Sequence, residues 1–140
     1  MSEVSDDVTL LLIEDDDIDA MMIQRSFLKQ RISNRIVRAY DGIEALELLR
    51  ENKVSRPLII LLDLQMPRMG GIEFLKELRA DENLAEIVVF VLTTSQSEED
   101  MLSSYRQNIA GYFVKGKSGE QFLEIINILD SYWKVVRLPK

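Results

Sequence analysis

Four short, nearly unbroken apolar runs punctuate the chain: Val8-Thr9-Leu10-Leu11-Leu12-Ile13, Leu58-Ile59-Ile60-Leu61-Leu62, Ile87-Val88-Val89-Phe90-Val91-Leu92 and the weaker Ala110-Gly111-Tyr112-Phe113-Val114. Each has the length of a strand, and most are rich in Val, Ile or aromatic residues. Apolar residues at successive positions, without alternation, predict strands covered on both faces, as in a parallel sheet. Arg35-Ile36-Val37-Arg38-Ala39 alternates and is shorter, which predicts an edge strand. Between the runs the apolar positions recur at helical spacing. Ile18, Met21, Met22, Ile23, Phe27 and Leu28 mark a first helix; Ala45, Leu46, Leu48 and Leu49 a second; Ile72, Leu75 and Leu78 a third. Met101, Leu102 and Tyr105 mark a less apolar fourth, and Phe122, Leu123, Ile125, Ile126, Ile128 and Leu129 a strong fifth. Asp41 and Ser118 suit N-cap positions, and Glu44 follows Asp41 at capping-box spacing. Strand and helix thus alternate five times. Right-handed crossovers then place helices on both faces of one sheet, a doubly wound α/β domain.

Composition narrows the chemistry. The 140 residues suit one domain, and a 46% hydrophobic content suits a packed core. With no histidine and no cysteine, a Ser-His-Asp triad, a thiol nucleophile, a phosphohistidine site and an ordinary zinc site are excluded. A net charge of −7 argues against general binding of nucleic-acid phosphates. Met1 to Asp7 is polar and acidic, unlike a secretory signal, and is expected to be a flexible N-terminus. No apolar run approaches the roughly 20 residues of a membrane span. A cytoplasmic protein is expected.

In a doubly wound sheet, ligands bind beyond the carboxyl ends of the strands, where the strand order reverses. For a flavodoxin-like five-stranded parallel sheet of order 2-1-3-4-5, the crevice lies between the first and third strands. Glu14, Asp15 and Asp16 follow the first, and Asp63 ends the third. Carboxylates that converge repel one another unless protonated or neutralised by a cation, and an oxygen-only set suits a hard ion such as Mg²⁺ (or Mn²⁺). An acidic run standing alone reads equally as a solvated loop, and Asp16, Asp17 and Asp19 suit the start of a helix. Thr93-Thr94-Ser95 leaves the fourth strand with hydroxyl groups, and Lys115 leaves the fifth with an ammonium suited to a phosphate oxygen. Singly these are turn and surface residues. Together they describe a phosphoryl and Mg²⁺ site.

Four segments in order, Leu11-Leu12-Ile13-Glu14-Asp15-Asp16, Leu61-Leu62-Asp63-Leu64-Gln65-Met66-Pro67-Arg68-Met69-Gly70-Gly71, Val91-Leu92-Thr93-Thr94-Ser95 and Gly111-Tyr112-Phe113-Val114-Lys115, resemble the receiver domain of two-component response regulators over essentially the whole chain. The resemblance implies that Asp63 accepts a phosphoryl group from a histidine kinase. It implies Asp15 as a direct Mg²⁺ ligand beside Asp63, Glu14 as one acting through water, and the Gln65 backbone carbonyl as a further ligand. It also implies Lys115 as the phosphoryl contact, Thr93 as a switch hydroxyl and Tyr112 as a switch aromatic. Gln65 and Ser95 hold positions that in this family influence the lifetime of the acyl phosphate.

One departure stands out. The family usually carries proline after the lysine, and here Gly116 takes that place. A trans bond is expected, because cis before a non-proline costs about 2.5–4 kcal/mol. The loop Gly116-Lys117-Ser118-Gly119 is expected to be looser, with Lys117 able to substitute for or compete with Lys115. The last helix is followed by a short tail over 135–140, which implies a single receiver domain over 1–140 that signals by docking on partners. Thr93-Thr94-Ser95, Gln121-Phe122-Leu123 and Tyr132-Trp133 with the Leu-Pro ending look similar to receivers that serve phytochrome-type histidine kinases. Tyr132, Trp133, Val135 and Val136 fit either a homodimer patch or a seat against the sheet. Three rival functions are a receiver-like scaffold that is not phosphorylated, an aspartate-nucleophile phosphatase and a flavin or dinucleotide binder. The phosphatase signature needs an acid where Gln65 stands. The nucleotide binder needs a glycine-rich turn where the acidic run stands.

Overall fold

The computed structural model describes residues 8–116 and 120–140. Five strands, β1 (Thr9–Ile13), β2 (Ile36–Ala39), β3 (Leu58–Leu62), β4 (Val88–Thr93) and β5 (Gly111–Val114), alternate with five helices. These are α1 (Asp17–Lys29), α2 (Gly42–Arg50), α3 (Gly71–Ala80), α4 (Glu98–Arg106) and α5 (Glu120–Val135). The strands form one parallel sheet in the order β2-β1-β3-β4-β5, with the alternating strand at an edge as its pattern predicts. The expected Ser118 cap, the part played by Lys117 and the flexibility of Met1–Asp7 fall outside the described residues, as does the side chain of Gln121.

The apolar runs are continuous because successive side chains serve opposite layers. Leu11, Ile13, Ile60, Leu62, Val89 and Val91 pack with Ala45, Leu46 and Leu49 of α2 and Phe74, Leu75 and Leu78 of α3. Leu10, Leu12, Ile59, Leu61, Phe90 and Leu92 meet Ala20, Ile23 and Phe27 of α1 and Ile125, Ile126, Leu129 and Trp133 of α5. Burying a side chain of this kind stabilises by about 1.5–3 kcal/mol relative to leaving it in water. Two complete layers hold the sheet edge that carries the acidic residues.

The helix faces are narrower than their apolar positions suggest. On α1, Ala20, Ile23 and Phe27 are buried and Met22 is partly so, whereas Ile18 and Leu28 are 64% and 77% exposed and Met21 also faces outward. One helix against one sheet face covers only the stripe that points at it, so the broad six-residue face divides. On α4, Leu102 and Tyr105 are likewise exposed and Ser104 is the buried residue. At the end of α5 the two readings also divide. Trp133 is buried, Tyr132 packs edge-on against Phe90 with ring centroids 5.0 Å apart, and Val135 and Val136 are exposed.

Caps follow the sequence closely. Asp16 accepts from the amides of Ile18 and Asp19 at the start of α1. Asp41 accepts from Glu44 N at the start of α2, while Glu44 reaches back to the Tyr40 amide, one residue ahead of the N-cap. The helices α1, α2 and α4 are each followed closely by a residue with positive φ, Arg31, Asn52 and Asn108. After α1 and α2 the paired bonds of a left-handed C-terminal turn form, Ile32 N to Phe27 O and Lys53 N to Leu48 O among them.

Candidate functional site

Register alone brings the acidic residues together. Ile13 pairs with Leu62, so the next residues out, Glu14 and Asp63, leave adjacent strands side by side. The Asp63 amide donates to Ile13 O and the Glu14 amide to Ala39 O, which extends the ladder one residue past the strand ends. On the other side Thr93 pairs with Val114, and the Lys115 amide donates to Thr93 O at 2.7 Å. Glu14, Asp63, Thr93 and Lys115 therefore emerge together at the carboxyl end of the sheet, while Tyr112 sits inside β5, paired with Val91.

Glu14 is 2% and Asp63 6% exposed, while Asp15 is open to solvent. One carboxylate oxygen from each of the three lies within 4.8 Å of the others. The Lys115 ammonium donates to Glu14 Oε1 at 2.8 Å and to Asp19 Oδ2 at 2.9 Å, with Asp63 Oδ2 farther away at 3.4 Å. Burial pushes the Glu14 carboxyl up to about 8, with the Asp63 charge adding to it and the Lys115 bond opposing it. For Lys115 burial works against the charge, but the bonds to Glu14 and Asp19 outweigh it and hold the ammonium above its ordinary value. A buried carboxylate under this strain, facing two more, is a donor set that suits a hard divalent cation with room for waters. The peptide bond after Lys115 is trans, the cis bond among the described residues being Arg56–Pro57.

The hydroxyl groups divide by direction. Thr93 is buried, and its Oγ1 accepts from the Ser95 amide at 3.3 Å. Ser95 turns toward the start of α4, where its hydroxyl donates to Asp100 Oδ2 at 2.6 Å. Thr94 instead donates to Gln65 Oε1 at 2.7 Å, tying the two loops beside Asp63, and the Gln65 amide donates to Asp63 Oδ1. Tyr112 is half-buried and donates its hydroxyl to Ser95 O at 3.0 Å, and burial raises its phenol above the usual range. The hydroxyl is thus engaged rather than free.

Three residues enter the site without a sequence signal of their role. Asp19, which suits a helix start, also reaches Lys115. Arg38 donates through Nε and one terminal nitrogen to Glu14 O, pairs with Asp17 through the other, and stacks over Tyr40. It clamps the acidic loop between β1 and α1. Gly71 at the start of α3 lies so close to the segment after β3 that a β-carbon there would stand 2.6 Å from Leu64 Cα and 2.9 Å from Asp63 O. Periodicity and helix propensity contain none of these long-range contacts. The paired glycines Gly70-Gly71 were the one available hint of a close approach.

Comparison with known proteins supplies an independent line. Residues 10–127 match the model of the response regulator receiver domain. The chain is 35% identical to the probable methanogenesis regulatory protein FilR2 of Methanothrix harundinacea, over 94% of this chain and 86% of that protein. It is 31% identical to the response regulator Rcp1 of Synechocystis, over 93% and 92% of the two chains. A crystal structure of the phosphorylated cyanobacterial phytochrome response regulator RcpA superposes with a TM-score of 0.86 at 33% identity, covering 94% of this chain and 98% of that one. The Mn²⁺-bound form of Rcp1 superposes with a TM-score of 0.84 at 31% identity, covering 94% and 99%. Among the described residues, no helix is long and apolar enough to cross a membrane.

Proposed function

The chain belongs to the response regulator receiver family, and from that premise we propose that it is a phosphoacceptor in two-component signalling, with Asp63 receiving the phosphoryl group from a sensor histidine kinase or a phosphotransfer protein. Receiver domains are signalling proteins of this kind rather than enzymes acting on a pool of substrate. The observation that carries the reading is the Asp63 carboxylate, nearly buried at the edge of β3, with two further carboxylates and the Lys115 ammonium converging on it.

In the transfer, one oxygen of Asp63 forms a bond to phosphorus as the donor's bond to phosphorus breaks, and the donor leaves with the electron pair. Lys115 is close enough to move from Glu14 toward the arriving oxygens and balance their charge. Asp15 and Asp63 would hold Mg²⁺ or Mn²⁺ directly, with the Gln65 carbonyl as a further ligand and Glu14 acting through water. The ion would offset negative charge on the phosphoryl oxygens, and the Mn²⁺-bound form of the similar Rcp1 supports such an ion here. Water attacking the same phosphorus would return Asp63 to its carboxylate. Gln65, held by Thr94 at the mouth of the site, is placed to limit that attack.

Phosphorylation would act as a switch through Thr93. A hydrogen bond from its hydroxyl to a phosphoryl oxygen would draw the loop after β4 inward, releasing Tyr112 from Ser95 O and biasing α4 and β5 toward a second arrangement. The output would be a changed affinity for a protein target or a second copy of the chain, in the cytoplasm and as one receiver unit. Similarity to RcpA and Rcp1, over nearly the whole length of each, favours a phytochrome-type kinase as the donor.

The test is intact mass after incubation with acetyl phosphate, with and without Mg²⁺. The expected result is one phosphoryl adduct that requires Mg²⁺ and is lost in Asp63→Asn. An adduct that persists in Asp63→Asn would identify another nucleophile. No adduct, together with no binding of a beryllofluoride phosphoryl mimic, would support the scaffold reading.

A further inference from the structure

Lys115 is held from its tip. Behind it the backbone runs into Gly116, which has no side chain to brace the loop, and its own amide is tied to Thr93 O. The ammonium itself meets three carboxylates on two sides, and these differ in what the phosphorylation reaction would leave them free to do. Asp63 would become an acyl phosphate, a mixed anhydride, and lose the charge of its carboxylate. Glu14 belongs to the acidic group that would face a cation. Asp19 belongs to neither, since it stands in the first turn of α1 with its own amide capped by Asp16, and its carboxylate reaches across to Lys115 at 2.9 Å.

We infer that Asp19 is the positioning residue that aims Lys115, holding the ammonium at the sheet edge through the whole phosphorylation cycle. The inference rests on the phosphoacceptor reading. An ammonium has three donors. In the resting molecule Glu14 and Asp19 take the two short bonds, and the third points at Asp63 from 3.4 Å. With Asp19 as the fixed partner, Lys115 exchanges Glu14 for the phosphoryl oxygens by a small rotation about one anchored bond. A free lysine would instead sample many rotamers, at an entropic cost for each productive approach. Asp19 is suited to the task because α1 is rigid there, its first turn being closed by Asp16 and the loop ahead of it clamped by Arg38. Its carboxylate keeps part of its surface in water, at 24% side-chain exposure, whereas the lysine it holds is at 7%.

The experiment is a double-mutant cycle of Asp19→Asn and Lys115→Ala, read as the rate of adduct formation by intact mass with acetyl phosphate at saturating Mg²⁺. Thermal midpoints are measured for all four proteins, and Asp19→Ser serves as a second replacement should the asparagine variant fold poorly. With Lys115 present, loss of Asp19 is expected to slow the reaction on the order of tenfold, the size of one hydrogen bond between charged groups. With Lys115 already removed, the same replacement is expected to produce no slowing, because nothing remains to aim. Equal slowing in both backgrounds would assign Asp19 a structural role and overturn the inference. Unchanged or faster reaction with Lys115 present would overturn it as well, since Asp19 would then compete for the lysine. Failure of the unaltered protein to form an adduct at all would instead reject the phosphoacceptor reading on which the inference stands.

Discussion

Asp41 joins two interactions in one buried carboxylate: one oxygen caps α2 through Glu44 N, and the other accepts from Arg68 Nε at 2.6 Å. Burial alone would raise its titration, but the Arg68 bond and the amides at the helix start outweigh it and hold the carboxyl below its ordinary 3.8. A group depressed in the folded state stabilises the fold at pH values above its unfolded pKa, and that stability is lost as pH falls through the folded one. Asparagine keeps the capping ability and removes the charge. Urea unfolding should therefore show Asp41→Asn less stable than the unaltered protein near neutrality, with the gap closing as the solution is acidified below the ordinary carboxylate range. A gap that stays constant with pH would mean that the charge contributes nothing. The cap was legible, because an Asp followed three residues later by Glu is a local signal. Its partner was not, because Arg68 reaches Asp41 from a left-handed position, φ 64°, in the loop after β3. Asp19 teaches the same lesson in the site: its place in a first turn is local, while its bond to Lys115 spans 96 positions of chain.

At the scale of elements, each apolar run was readable as a strand, and its lack of alternation as burial on two faces. Helix faces were harder. The pattern on α1 contains more apolar residues than one sheet face can cover, and only the neighbours in space select Ala20, Ile23 and Phe27 over Ile18 and Leu28. The start of α3 is set by contact rather than by propensity. No side chain caps it, and Gly71 lets the helix press onto Leu64 and the carbonyl of Asp63, with its own amide donating to Leu64 O. Alanine is the better helix former, but here its methyl would meet backbone, which cannot rotate aside. Gly71→Ala is expected to destabilise the fold by about 1–3 kcal/mol, the usual range for overpacking. It should also slow adduct formation by displacing Asp63. A thermal midpoint equal to or above that of the unaltered protein would show that α3 shifts without resistance.

Across the whole molecule, Trp133 joins α5 to α1. It is 2% exposed, its ring lies 6.1 Å from Phe27 of α1, and its Nε1 is a buried donor with no partner among the described residues. As the sole tryptophan, it should emit at short wavelength in the folded protein and shift to the red on unfolding. Trp133→Ala should cost about 3–5 kcal/mol, whereas Trp133→Phe, which removes the orphaned donor along with part of the ring, should cost far less. Similar losses in both variants would mean that shape, not the unpaired N–H, dominates that seat. The sequence by itself determined the order of strands and helices, the two-sided burial of the sheet, the caps of α1 and α2 and the residues that gather at its carboxyl edge. These follow from periodicity, local hydrogen bonding and the single hand of the crossover. Tertiary structure alone decided which apolar side chains stay in water, that Tyr112 is tied to Ser95, that Arg38 clamps the acidic loop and that Lys115 rests on Asp19. Those outcomes depend on distances between segments far apart in the chain, and the spacing of residues along the chain contains no such distance.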